Sequence, residues 1–221
     1  MTTIAVIGAG PGLGTAVARR FGREGFGIAL VSRDQERVDA LAAELADAGL
    51  TARGFAADVR DPKALAAALD AVPEALGPVE VLQYSPIPHP DFMRPVLETR
   101  PDDLVGPIEF SLYGPVTAVR QVLPGMRSLG RGTVLFVNGG SAVIPHPERA
   151  GTSIAFAAES AYGHLLHDTL APDGIHVGQL IIPGAISPGH PRKDPDALAE
   201  TLWGMHRDRH GFRHFADDLD S

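Results

Sequence analysis

The chain has 221 residues, a formal net charge of −8 and no cysteine. That length carries one domain with a sizeable core, here expected to span residues 1–221. The acidic balance without a basic run argues against nucleic acid, and the missing thiols exclude disulfides and thiolate metal sites. No apolar stretch approaches the ~20 residues of a membrane span. No charged leader precedes the first strand, so a cytoplasmic protein is expected.

Strand and helix patterns alternate along the chain. Thr3–Ile7 is an apolar strand, and Gly14–Glu24 reads as a helix. Gly27–Ser32 is a continuous apolar strand, as in a parallel sheet covered on both faces. In 34–48, apolar Val38, Leu41, Ala42 and Leu45 have helical spacing, with Asp34 as N-cap and Gly49 as terminator. Thr51–Ala56 is the next strand. Asp61-Pro62 opens a helix that runs to Leu76. Val79–Tyr84 is a strand, followed by a proline-rich loop from Pro86 to Pro90.

Roughly 102–129 is helical, with Pro107 and Pro115 near a start or a kink. Thr133–Val137 is a strand before the loop Asn138-Gly139-Gly140-Ser141. A helix over Thr152–Leu170, a strand over Ile175–Ile182, a helix from Asp194-Pro195 to about Arg207 and a short strand over Phe212–Phe215 complete the pattern. The alternation predicts an α/β fold of Rossmann type: a doubly wound parallel sheet with helices on both faces. A ligand would sit outside the carboxyl ends of the strands.

The glycine-rich turn Gly8-Ala9-Gly10-Pro11-Gly12-Leu13-Gly14 lies between the first strand and helix. Phosphate needs close backbone approach, which Cβ atoms would block. The N–H groups and positive dipole end of the following helix favour a pyrophosphate there. A dinucleotide site is expected, with Gly8, Gly12, Leu13 and Gly14 in contact.

The order of these pieces resembles the short-chain dehydrogenase/reductase family over nearly the whole chain. Gly8, Gly12 and Gly14 match its G-x-x-x-G-x-G spacing. Asp58-Val59 is similar to its adenine-contacting Asp-Val pair. Gly132–Phe136 resembles its glycine-led fifth strand, and Gly174–Val177 with Pro183-Gly184 resembles its sixth strand and nicotinamide-side loop. The resemblance implies an oxidoreductase that moves a hydride between a nicotinamide cofactor and a small carbonyl or alcohol. It places Ser32, Arg33, Asp58, Val59, Ser85, Pro183 and Gly184 with the glycines at the cofactor. It also implies a homodimer or homotetramer. An arginine at the end of the second strand would pair with a 2′-phosphate, so Ser32-Arg33 points to NADP(H) in preference to NAD(H).

The family's chemistry rests on Tyr-x-x-x-Lys, a serine after the fifth strand and an asparagine on the fourth helix. Here Phe156 falls at the tyrosine, Ser160 at the lysine, Gly140 at the serine by counting from Gly132, and Ser111 at the asparagine. Phenylalanine has no ionisable proton, and serine no charge to depress a neighbour's pKa. Tyr162 has no lysine four residues on and lies on another face, so it reads as packing. Ser141, one residue past the counted position, and His146, in Pro145-His146-Pro147, are the remaining catalytic candidates. His89 is similarly placed. His164 and His167 have a possible ligand spacing but no third partner, so no metal is expected. Only Ala185–Lys193 is left for a substrate lid. Three readings stay open: an NADP-dependent oxidoreductase with a degenerate centre, a catalytically inactive NADP(H)-binding or regulatory protein, and a non-redox enzyme reusing the fold.

Overall fold

The structure is a computed structural model that describes residues 1–219. Seven parallel strands form one sheet in the order β3-β2-β1-β4-β5-β6-β7. They are β1 (Thr3–Ile7), β2 (Gly27–Ser32), β3 (Ala52–Ala56), β4 (Val79–Tyr84), β5 (Gly132–Gly139), β6 (Ile175–Ile182) and β7 (Arg213–Phe215). The apolar runs of β1, β4 and β6 are buried on both faces, while the edge strands β3 and β7 are partly exposed. The winding direction reverses between β1 and β4, which opens a crevice at their carboxyl ends.

Helices α1 (Leu13–Gly22), α2 (Gln35–Asp47) and α7 (Pro195–Asp208) cover one face. Helices α3 (Pro62–Leu76), α5 (Gly114–Leu129) and α6 (Ala150–Leu170) cover the other. A shorter helix, α4 (Pro101–Ile108), leads into α5. The caps follow their sequence signals. Asp34 Oδ1 accepts from Arg37 N at 3.2 Å, and Asp61 Oδ1 accepts from Lys63 N and Ala64 N at 3.0 and 3.1 Å. Gly49 follows α2 with φ +80°.

Two elements differ from their sequence expectation. Asn138 and Gly139 belong to β5 rather than to the following loop, because their pairing with Ile181 and Ile182 continues the ladder. The long helix over 102–129 is interrupted by a π segment at Glu109–Tyr113. Gly114 N donates to Glu109 O there. Phe110 O would next need an N–H from residue 115, and Pro115 has none. The Tyr84 hydroxyl donates to Phe110 O at 2.5 Å instead. Gly114 makes this possible, since a Cβ there would run into the Tyr84 oxygen. Tyr84→Phe should therefore remove the partner of a part-buried carbonyl and lower the unfolding free energy by ~0.5–1.5 kcal/mol. Chemical denaturation measures this, and an unchanged midpoint would contradict the pairing.

Candidate active site

The glycine turn shows three different requirements. Gly8 has φ +89°, and a Cβ there would lie 2.5 Å from the backbone of Pro86. Gly14 packs on Ala9, whose Cα would be 3.0 Å from an added Cβ. At Gly10 and Gly12 an added Cβ would meet nothing within 4 Å, so the surface of the turn is open. Thr15 Oγ1 donates to Gly10 O at 2.7 Å and fixes the turn. Leu13 is buried as the first residue of α1.

A cleft of about 630 Å³ opens beside this turn, within the usual range for small-molecule sites. Of the expected cofactor contacts, Gly8, Ser32, Arg33, Asp58 and Val59 line it. Gly12, Leu13, Gly14, Ser85, Pro183 and Gly184 do not. Ser85 nevertheless borders it through Pro86, and its N–H donates to Ile7 O at 3.0 Å. Residues that sequence reasoning missed also line the cleft: Arg37, Arg60, Ile87, Phe92 and Phe110. Arg37 lies one helical turn beyond Arg33, a spacing that could have revealed it.

The three arginines differ in their partners. Arg60 is engaged by Glu109 Oε2 at 2.7 Å. Among the described residues, neither Arg33 nor Arg37 has a side-chain hydrogen bond or ion pair, and both are exposed. Asp34 is committed to capping α2. Asp58 Oδ1 accepts from Arg60 N at 2.9 Å.

Beyond the cleft, α6 carries the expected reaction positions. The Phe156 ring faces Gly139: a Cβ on that glycine would lie 3.8 Å from Phe156 Cε2. Gly140, at the serine position by the count from Gly132, points elsewhere: a Cβ there would lie 3.8 Å from Pro183 Cα. Ser141 is the next residue, in a 3-10 segment, half-buried. Ser160 is buried, donates to Gln179 Oε1 at 2.9 Å and accepts from Arg213 at 2.6 Å. Tyr162 packs on Phe136, and burial pushes its hydroxyl up to about 12.

Three His-Pro pairs share one structural role. His89, His146 and His190 each stand before a turn, and each Nδ1 accepts a backbone N–H, from Asp91 at 3.3 Å, Glu148 at 3.2 Å and Lys193 at 3.1 Å. His146 is exposed, and the cap leaves Nε2 as its remaining ring nitrogen. His89 lines the cleft, whereas His146 and Ser141 do not. His164 stacks on Phe212, and His167 Nδ1 meets Val177 O at 2.7 Å. The short lid segment is fastened: the buried Asp217 carboxylate holds Arg192, with Lys193 Nζ and His190 Nε2 each at 3.7 Å.

A polar chain, absent from the sequence reading and buried except at Arg213, joins β5, α6, β6 and β7. Arg213 Nε donates to Gln179 Oε1 at 3.0 Å. Gln179 Nε2 donates to Asn138 Oδ1 at 2.8 Å, and Asn138 Nδ2 donates to Glu159 Oε2 at 2.9 Å. Glu159 Oε1 is buried with no partner among the described residues. Burial raises this carboxyl well above the usual range, against the lowering effect of Asn138. A single charged residue in the stretch Ala155–Tyr162 was the available signal.

The description "short chain dehydrogenase" matches residues 2–197. The short-chain reductase protein NovJ of Streptomyces niveus is 30% identical over 202 residues, covering 90% of this chain and 73% of that protein. The chain spans only 50% and 63% of the length of the first two curated relatives it matches. Among solved structures, L-sorbose reductase of Gluconobacter frateurii, complexed with NADPH and L-sorbose, superposes with TM-score 0.89 at 20% identity, covering 100% of this chain and 97% of that one. A short-chain oxidoreductase of Pseudomonas aeruginosa PAO1, described as containing an atypical catalytic center, gives 0.86 at 19% identity and covers 97% and 95%.

Proposed function

The chain belongs to the short-chain dehydrogenase family, and from that premise we propose that it is an NADP-dependent oxidoreductase of a small carbonyl or alcohol with a degenerate catalytic centre. The family fold implies binding of NAD or NADP. The observation that carries the choice of NADP is the pair of unpartnered guanidinium groups, Arg33 and Arg37, on the cleft beside the end of β2. A 2′-phosphate would supply the acceptors that both lack. The open faces of Gly10 and Gly12 fit a pyrophosphate at the α1 N-terminus. Asp58 and Val59 would border the adenine, and Ser85, Pro183 and Gly184 the nicotinamide half.

When bound, the nicotinamide supplies or accepts the hydride. The chain's own residues position the partners and handle the proton. Ser141 would hold the carbonyl oxygen, and His146 would offer its Nε2 proton from the neighbouring loop. The L-sorbose reductase complexed with NADPH supports the cofactor reading, and the Pseudomonas oxidoreductase with an atypical catalytic center supports turnover without the usual residues.

A second reading, a binding protein without turnover, is favoured by the Phe156 ring facing Gly139, where neither side chain can donate a proton. NADPH consumption with a panel of aldehydes and ketones separates the two. Turnover is expected. Tight NADPH binding with no consumption across the panel would select the binding protein.

A further inference from the structure

We propose that the segment 185–193 is a fixed rim of the site and not a lid that closes over it, because Asp217 of the C-terminal tail straps it to the end of β6. The rim belongs to the site of the oxidoreductase reading above and rests on that reading, whereas the strap stands on its own contacts.

The segment first closes on itself. Ser187 N donates to Lys193 O at 2.9 Å, and His190 N donates to Ser187 O at 3.0 Å. Gly189 N donates to Asp194 Oδ2 at 2.7 Å, while Asp194 Oδ1 accepts from Asp196 N at 2.9 Å and caps α7. His190 Nδ1 accepts from both Arg192 N and Lys193 N, at 3.2 and 3.1 Å. Pro188 and Pro191 each fix a φ angle, and Gly189 supplies the left-handed turn position at φ +79°. A loop that satisfies its own backbone in this way gives up hydrogen bonds if it unrolls over a ligand.

The strap then fastens this loop to the sheet. β7 pairs with β6, and the next residue, Ala216, continues the ladder, since its N–H donates to Ile181 O at 2.9 Å. Asp217 follows directly and is thereby held at the carboxyl end of β6. It is 5% exposed. Arg192 donates to its Oδ1, and Lys193 Nζ and His190 Nε2 each lie 3.7 Å from its Oδ2. Asp218 N also donates to Oδ1, at 2.8 Å. That N–H, helped by the charges of Arg192, Lys193 and His190, holds the Asp217 carboxyl below the usual carboxylate range against the raising effect of burial. Asp218 Oδ2, 3.8 Å from Arg192, is a second and far more exposed anion.

Lys193 makes the strap costly to release. Its side chain is 10% exposed, and lysine is rarely buried without a partner. Swinging the segment over the site would part Arg192 and Lys193 from Asp217 and leave a buried carboxylate without its cations. A lid would have to break these contacts in every catalytic cycle. Among the described residues that line the cleft, none comes from 185–193. The opening is therefore set by the fold, and substrate enters it with no closing step to complete the site.

Hydrogen–deuterium exchange of the whole protein, with and without NADPH, tests this. In the wild type, NADPH should slow exchange in the glycine turn 8–14 and leave 187–194 unchanged. Asp217→Asn should speed exchange of 187–194 by ~10-fold or more, the usual worth of a charge-assisted hydrogen bond, with β1 and β4 unaffected. Arg192→Gln should speed it less, because Lys193 keeps its place, and the double variant should match Asp217→Asn alone. Molar salt should speed exchange of 187–194 in the wild type and hardly alter it in Asp217→Asn, which marks the strap as electrostatic.

Slower exchange of 187–194 on NADPH binding would overturn the proposal, since the segment would then be a lid. So would a rate left unchanged by Asp217→Asn. Should Asp217→Asn lose its fold throughout, Arg192→Gln decides, because that side chain is 57% exposed, and an unchanged rate there overturns the strap. If NADPH leaves the glycine turn unprotected, the oxidoreductase reading fails, and the two variants still decide whether the segment is strapped.

Discussion

Replacing Arg33 by alanine is expected to weaken NADPH binding by ~10- to 100-fold, with NADH binding unchanged. A charge-assisted hydrogen bond contributes ~1.5–3 kcal/mol, and each 1.4 kcal/mol is about tenfold in affinity. Arg33 is exposed, so salt screening places the loss toward the lower end. Arg37, with no partner of its own, should carry a smaller share of the same phosphate, and the double replacement should remove the preference for NADPH over NADH. Fluorescence titration with both cofactors measures this. Equal losses for NADPH and NADH would place Arg33 outside a 2′-phosphate site.

The conventional repair of the reaction centre, Phe156→Tyr with Ser160→Lys, is expected to destabilise the protein rather than activate it. Ser160 is 4% exposed and hydrogen-bonded to Gln179. Its oxygen also receives the Arg213 guanidinium at 2.6 Å. A lysine there would bury an ammonium against that cation and remove the hydroxyl from the chain. Glu159 is adjacent in sequence and points to another side of the helix, so it offers no rescue. An uncompensated buried charge of this kind costs about 3 kcal/mol or more. Thermal unfolding of Ser160→Lys should show a large loss, and Phe156→Tyr alone a much smaller one. A double variant as stable as the wild type, with new reductase activity, would contradict this packing.

Much of the fold was legible because its signals are local. The apolar runs of β1, β2, β4 and β6 report burial on both faces. Asp34 and Asp61-Pro62 cap helices through bonds spanning two or three residues. Part of the cleft lining was legible for the same reason, since Gly8, Arg33 and Asp58 each follow a strand. The rest depended on distant partners. Asn138 and Gly139 extend β5 only because β6 offers a matching ladder. The π segment requires both Pro115 and a tyrosine from β4. His146 drew attention as a titratable loop residue, but its Nδ1 is an acceptor for the Glu148 N–H. Glu159 gave a faint signal, because its hydrogen-bond partner Asn138 comes from β5, 21 residues away in sequence.

The measurement that bears most directly on function is calorimetric titration of the wild-type protein with NADPH and with NADH. The arrangement of Gly10, Gly12, Arg33 and Arg37 predicts saturable NADPH binding at one site and at least ~10-fold weaker NADH binding. Equal affinity for the two would contradict the assignment of Arg33 and Arg37 to a 2′-phosphate. Absence of binding by either would contradict the nicotinamide-dependent function itself.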